Sequence, residues 1–169
     1  QEIPFPRISY KEAMEKYGSD KPDLRFGMEL MDVSDVFAKS EFRVFQSTLE
    51  ASGVIKCIIA PRSADMSRKD VDALTEVAKS FGAKGMPTLA VTAEGVKGSA
   101  SKFVTAEEVE ALKSKTGAGV GDLIVFATDA RAVVNKVLGG LRLWFRDQLE
   151  LADKDMMAFA WVVDFPFFA

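Results

Sequence analysis

The chain has 169 residues, 48% hydrophobic and 28% charged, with a net charge of −3. That is material for one globular domain with flanking pieces, and it argues against both disorder and a global phosphate-binding field. With no histidine and one cysteine, Cys57, the chain excludes histidine-based triads and dyads, histidine- or cysteine-ligated zinc and an internal disulfide.

From the N-terminus, Ser9 followed by Glu12 marks a helix start, and Tyr10, Ala13, Met14 and Tyr17 share one face of a helix over about 9–17. The next segment, Tyr17-Gly18-Ser19-Asp20-Lys21-Pro22-Asp23-Leu24-Arg25-Phe26, is too polar for a core. Its Gly-Ser and Lys-Pro-Asp turns predict an ordered loop. Asp20 and Asp23 could form an acid/base pair or share a hard cation through water. Turn fixing is the simpler reading, because no third ligand or nucleophile is near in sequence.

Asp32 with Asp35 predicts a short helix over about 32–39 carrying Val33, Val36 and Phe37. Phe42 to Leu49 alternates and predicts a strand, which Ser52-Gly53 would turn into Val54–Ala60 as its hairpin partner. Ser67 with Asp70 opens a helix over about 67–81, with Val71, Leu74, Val77, Ala78 and Phe81 at helical spacing and Gly82 as its stop. Leu89–Thr92 predicts a short strand. Thr105 with Glu108 opens a more polar helix over about 105–115 that ends at Gly117, and Leu123–Ala127 predicts another strand.

The last helix, about 129–149, places Val134, Val137, Leu138, Leu141 and Phe145 on one stripe. Gly139-Gly140 inside it should cost about 1 kcal/mol per glycine against alanine, so the pair predicts close backbone approach or a kink. This order of elements predicts an α+β fold, a mostly antiparallel sheet backed by two main helices.

The two ends read differently. Residues 1–31 show few strand signals and no core of their own. Residues 156–169, MMAFAWVVDFPFFA, form an apolar strand-like run that would expose Phe165, Phe167 and Phe168 or pair with another chain. The expectation is a piece of a larger protein whose sheet this run completes. Asp164 inside the run needs a partner or a strand end, and Lys21 and Arg25 are the candidates.

Other motifs reduce to structure. In GAGVGD, Gly117 to Asp122, the glycine spacing and the helix-before-strand order are wrong for a dinucleotide site, leaving a helix stop and turn. Gly82-Ala83-Lys84-Gly85 is a helix C-cap, not a phosphate loop. Glu107, Glu108 and Glu110 suit a first helical turn, and Arg62, Arg68 and Lys69 read as a solvated helix start. Cys57 reads as a small buried hydrophobe. No nucleophile, base and oxyanion site assemble, so the residues alone describe a non-catalytic module. No apolar run approaches the roughly 20 residues of a membrane span, and a soluble, cytoplasmic domain is expected.

The YGSDKPDLRF segment resembles a signature of bacterial-type aspartyl-tRNA synthetases. Phe5-Pro6-Arg7-Ile8-Ser9-Tyr10-Lys11-Glu12-Ala13-Met14 is similar to the FPRxTYxEAM segment that precedes it there. Phe26-Gly27-Met28-Glu29-Leu30, Ser40 to Phe45, Gly82 to Gly85, Gly121 to Phe126 and Gly140-Leu141-Arg142 also resemble family stretches, in order. Trp161 to Phe168 resembles the WVxDFPxF strand.

The resemblance covers essentially the whole chain. It implies the inserted GAD domain, a DCoH-like two-layer α/β sandwich of β-β-α-β-β-α type with an extra inserted helix. Residues 32–155 would be the insertion, with 1–31 and 156–169 as edges of the class II catalytic domain.

The parent enzyme, by the same resemblance, activates aspartate with ATP and Mg2+ and ligates it to tRNA, as a homodimer. No catalytic, cofactor or metal residue carries over to this chain. Asp20, Lys21, Asp23, Arg25 and Asp164 are the candidates for the domain seam. The competing readings are a stand-alone ligand- or protein-binding module and the GAD domain of a glutamyl-tRNA amidotransferase subunit, where YGSDKPDLR and WVVDFPFF would not be expected.

Overall fold

In the computed structural model, which describes residues 5–167, the framework is a five-stranded, wholly antiparallel sheet. Its strands are β2 (Met31–Asp32), β3 (Val54–Ala60), β4 (Thr88–Thr92), β5 (Gly95–Lys97) and β6 (Leu123–Asp129), in the spatial order β2-β3-β6-β4-β5. The longest ladder pairs β3 with β6 from Val54↔Asp129 to Ala60↔Leu123. These two strands are apolar almost throughout because both of their faces are covered.

Strand parity divides the core in two. Val54, Ile58 and Ala60 of β3 and Leu123, Val125 and Ala127 of β6 face α3 (Arg68–Ser80) and α5 (Arg131–Gln148), meeting Leu74, Ala78, Val134, Leu138, Leu141 and Phe145. This is the expected sheet-and-helix sandwich. Ile55 and Cys57 of β3 and Ile124 and Phe126 of β6 face the opposite way. There they meet Phe45 of α2 (Arg43–Glu50), Leu112 of α4 (Ala106–Thr116), and Val33 and Phe37. Phe37, Phe45 and Phe126 pack with ring centroids 4.6–5.8 Å apart. Burial pushes the Cys57 thiol up to about 12, as befits an inert core residue.

The helix signals at Ser9, Ser67 and Thr105 are real caps. Each side chain accepts the amide of the third residue on, and Thr105 with Glu108 completes a reciprocal capping box. Two expectations fail. Phe42 to Leu49 is the helix α2, not a strand, so there is no hairpin with β3. Phe42, Phe45 and Leu49 also fit a helical face, and that period prevails because Phe42 and Phe45 bury in the aromatic cluster.

The expected helix over 32–39 is instead a run of turns after β2. Asp32 accepts the Ser34 amide at 3.0 Å, and i→i+3 bonds join Val33–Val36, Asp35–Ala38 and Phe37–Ser40. The sheet's first strand is therefore Met31–Asp32. The hairpin actually present joins β4 to β5.

The ends also differ from expectation. Residues 7–9 form a strand, β1 (Arg7–Ser9), that runs directly into α1 (Tyr10–Tyr17). It pairs in parallel with β7 (Trp161–Val163), in the register Arg7↔Trp161 to Ser9↔Val163. The apolar C-terminal run thus has a partner within the chain. Phe168, part of the expected aromatic end, lies outside the described residues.

Candidate functional site

Of the sequence-predicted candidates, Asp23 and Arg25 lie where the N-terminal segment meets α5, around a buried arginine that sequence reasoning did not single out. Arg142 is 1% exposed. Its Nε donates to the Met28 carbonyl at 3.1 Å. Its Nη2 donates to the carbonyls of Asp23, Phe26 and Gly27 at 2.8, 3.1 and 2.9 Å. The guanidinium carbon lies 4.0 Å from the Phe26 ring centroid and 4.9 Å from that of Tyr17. The fork shape and delocalised charge of arginine suit this mixture of carbonyls and ring faces, which a lysine could not reproduce. Burial pulls the Arg142 pKa down, yet a guanidinium stays charged in proteins.

Asp23 fixes the outer side of this loop. Its carboxylate accepts the Arg25 amide at 3.1 Å and the Arg25 guanidinium at 2.9 and 2.8 Å, and also Arg146 of α5 at 3.1 Å. The Arg25 hydrogen bonds hold the carboxyl well below the usual carboxylate range, against burial and with help from Arg146. Asp23 is therefore a turn-fixing group that also ties the loop to α5. Asp20 and Lys21 are exposed at the loop tip, where the Lys21 amide bonds Ser19 Oγ at 3.0 Å. Asp164 is exposed with φ +59°, just past β7, and forms no ion pair with Lys21 or Arg25.

Beside Arg142, α1 ends against α5 at backbone distance. Gly18 closes α1 with φ +67°, and a Cβ there would stand 2.1 Å from the Asn135 carbonyl oxygen and 2.8 Å from Gly139 Cα. A Cβ on Gly139 would meet the Gly18 carbonyl oxygen at 2.8 Å, and one on Gly140 the Phe81 ring at 2.7 Å. The glycine pair inside α5 is thus a double close approach, one side toward α1 and the other toward α3.

A second buried cation lies further along α1. Lys56, in the middle of β3, is 1% exposed and points to the α5 side by strand parity. Its Nζ donates to Glu15 Oε2 at 2.6 Å, the Glu15 carbonyl at 3.1 Å and Asn135 Oδ1 at 2.8 Å. Arg131 binds the same Glu15 carboxylate at 2.7 Å and reaches Asp32 at 3.2 Å. Burial pushes the Glu15 carboxyl up, but Lys56 and Arg131 outweigh it and hold the pKa below its ordinary value. The signal for Lys56 was its place inside Val54-Ile55-Lys56-Cys57-Ile58-Ile59, since a lysine within a buried strand needs a partner. The partners lie 41 and 79 residues away.

The ribbon of β1 and β7 packs against α1. Phe5 packs on Phe159 and Tyr10 on Phe165, with ring centroids 5.5 and 5.1 Å apart. Even so, Trp161 is 61% and Phe165 53% exposed. Elsewhere, a groove of about 650 Å³ opens between α2 and the end of β6, lined by Phe42, Val44, Thr48, Met86 and Pro87 and spanned by the Lys84–Asp129 ion pair. Among the described residues no cluster of acidic or thiol side chains could hold a metal ion, and no helix is long and apolar enough to cross a membrane.

Residues 45–138 match the family profile described as the GAD domain. The chain is 50% identical over 165 residues to an aspartate–tRNA(Asp/Asn) ligase of Rubrobacter xylanophilus, covering 98% of this chain and 28% of that protein. It is 48% identical over 164 residues to an aspartate–tRNA ligase of Shouchella clausii, covering 96% and 28%. A Moorella thermoacetica aspartate–tRNA(Asp/Asn) ligase is 44% identical over 164 residues, covering 97% and 27%. The chain therefore spans just over a quarter of the length of these relatives.

Proposed function

Because the chain belongs to the GAD domain family, we propose that it is the insertion domain of an aspartate–tRNA ligase together with the two legs that join it to the catalytic host. Residues 32–155 form the insertion; residues 1–31 lead into it and 156–169 lead back. The observation that carries this reading is the β1–β7 ribbon. Two segments at opposite ends of the chain run side by side and in parallel, with Trp161 and Phe165 largely uncovered. An insertion needs its two crossings adjacent, so that the host is interrupted without being pulled apart. An uncovered aromatic surface at that point suits burial against the host.

In this reading the parent activates aspartate with ATP and Mg2+ in a class II catalytic domain and passes it to tRNA, and it works in the cytoplasm as a homodimer. The reacting groups belong to the host. Asp20, Lys21, Asp23, Arg25 and Asp164 serve the seam, and none touches substrate. The matched relatives include both aspartate–tRNA ligases and aspartate–tRNA(Asp/Asn) ligases, and aminoacylation of the aspartate and asparagine tRNAs by the parent decides which kind this is.

The test is aspartate-dependent ATP–pyrophosphate exchange, measured on the full-length parent and on the 169-residue chain. Exchange by the parent and none by the chain is the expected result. Exchange by the chain alone, or a parent with no aspartate-dependent exchange, would overturn the reading.

A further inference from the structure

We infer that Arg142 is a positioning residue that makes the N-terminal leg one rigid body with the α/β core, so that this leg sets the direction of the β1–β7 ribbon. The inference deepens the insertion reading and rests on it for its biological meaning, but its geometry stands on the chain itself.

Besides the Glu15–Arg131 and Asp23–Arg146 ion pairs, the β2–β3 pairing and the burial of Leu30, three contacts join the leg to the core. Arg142 gathers four consecutive-region carbonyls, from Asp23 to Met28, onto one buried cation. Within that loop Met28 adopts φ +63°, a conformation a side-chain-bearing residue holds only when its surroundings over-determine it. Gly18 and Gly139 bring α1 onto α5 backbone to backbone. Lys56 ties Glu15 of α1 to Asn135 of α5 from inside the sheet. No linker then separates α1 from the ribbon, because Ser9 is both the last residue of β1 and the N-cap of α1. Fixing α1 fixes the ribbon.

The C-terminal leg is built differently. From Glu150 to Ala160 it has neither helix nor strand, and most of its residues are exposed. The Leu151 amide bonds the Arg146 carbonyl and the Asp155 amide bonds Asp153 Oδ1. β7 joins the ribbon through β1 rather than through the core. The returning leg is the irregular one of the two, and residues added within it should leave the ribbon's direction unchanged.

The test measures the distance between nitroxide labels at Lys11→Cys on α1 and Glu107→Cys on α4, both exposed sites, by pulsed electron resonance on the whole chain. Cys57 is buried and its thiol is pushed up to about 12, so it stays unlabelled. The parent sequence should give one narrow distance distribution. Arg142→Lys, which keeps the charge but loses the fork, should at least double its width while β3 and β6 amides stay protected.

Phe26→Leu, which removes the ring under the guanidinium, provides a milder second variant and should broaden the distribution by a smaller factor. A Gly-Ser-Gly-Ser insertion after Asp153 should leave the width unchanged. Unchanged width in both side-chain variants with a folded core, or broadening by the insertion as large as that by Arg142→Lys, would overturn the inference. None of these readouts depends on ligase activity, so failure here and failure of the functional reading are distinguishable.

Discussion

The two legs of this chain meet in one ribbon but reach it by opposite means. The N-terminal leg is short of apolar residues, and α1 buries only Ala13. It compensates with two fully buried cations of the core, Lys56 and Arg142, and with a backbone contact that only glycines permit. The C-terminal leg is rich in methionine and aromatics, yet Met156, Met157, Phe159 and Trp161 are 48–75% exposed. Hydrophobic content therefore says little about which leg is held. What holds a leg is polar geometry completed by the core, and that is also the part least tolerant of change.

The comparison can be broken most forcefully at Gly18. Gly18→Val adds a branched side chain at φ +67° into the Asn135 carbonyl, and the left-handed strain together with overpacking should cost roughly 4 kcal/mol in denaturant unfolding. Lys56→Ala should cost about 3 kcal/mol, because it strands Glu15 and Asn135 at a buried site. Lys56→Met strands the same acceptors but fills the volume of the stem, so it should cost less than Lys56→Ala by the cavity that alanine leaves.

Acid should act on the same leg. The folded-state carboxyls of Glu15 and Asp23 are depressed, so the unfolded chain takes up protons first as pH falls. Their contribution is fully present above the ordinary carboxylate range near about pH 4 and is lost on descending through the depressed folded values. A Glu15→Gln/Asp23→Asn double variant should flatten that part of the stability–pH curve, followed by thermal unfolding at a series of pH values. The smallest effect belongs to the other leg. Four extra residues after Asp153 should change stability by less than about 0.6 kcal/mol, the scale of lengthening a flexible loop.

Much of the core was legible in the sequence. Val54–Ala60 and the helices α3, α4 and α5 follow from apolar periodicity, cap residues and glycine stops, all of which act within one turn or one strand. The segment from Asp32 to Leu49 was not, because two periods fit it equally. Phe42, Val44 and Gln46 alternate, while Phe42, Phe45 and Leu49 share a helical face, and the choice fell to Phe37 and Phe126 from elsewhere in the chain.

The seam was half legible. Turn chemistry around Asp23 was readable, and so was Gly139-Gly140 as a close approach. The cations at its centre gave only an indirect signal. Lys56 interrupts an apolar strand, and Arg142 sits one turn after Leu138 beside an apolar stripe, but their partners lie 41 to 119 residues away. No local pattern encodes such pairings.

Native-state amide exchange on the whole chain tests the contrast between the legs most directly. The Gly18 amide, bonded to the Met14 carbonyl at 3.1 Å, and the Leu30 amide, bonded to the Lys16 carbonyl at 2.7 Å, report the N-terminal leg. The amides from Glu150 to Ala160 report the other. We predict that Gly18 and Leu30 exchange with the slow amides of β3 and β6, while the 150–160 segment exchanges orders of magnitude faster. Equal, fast exchange of both legs, with β3 and β6 still protected, would contradict the account.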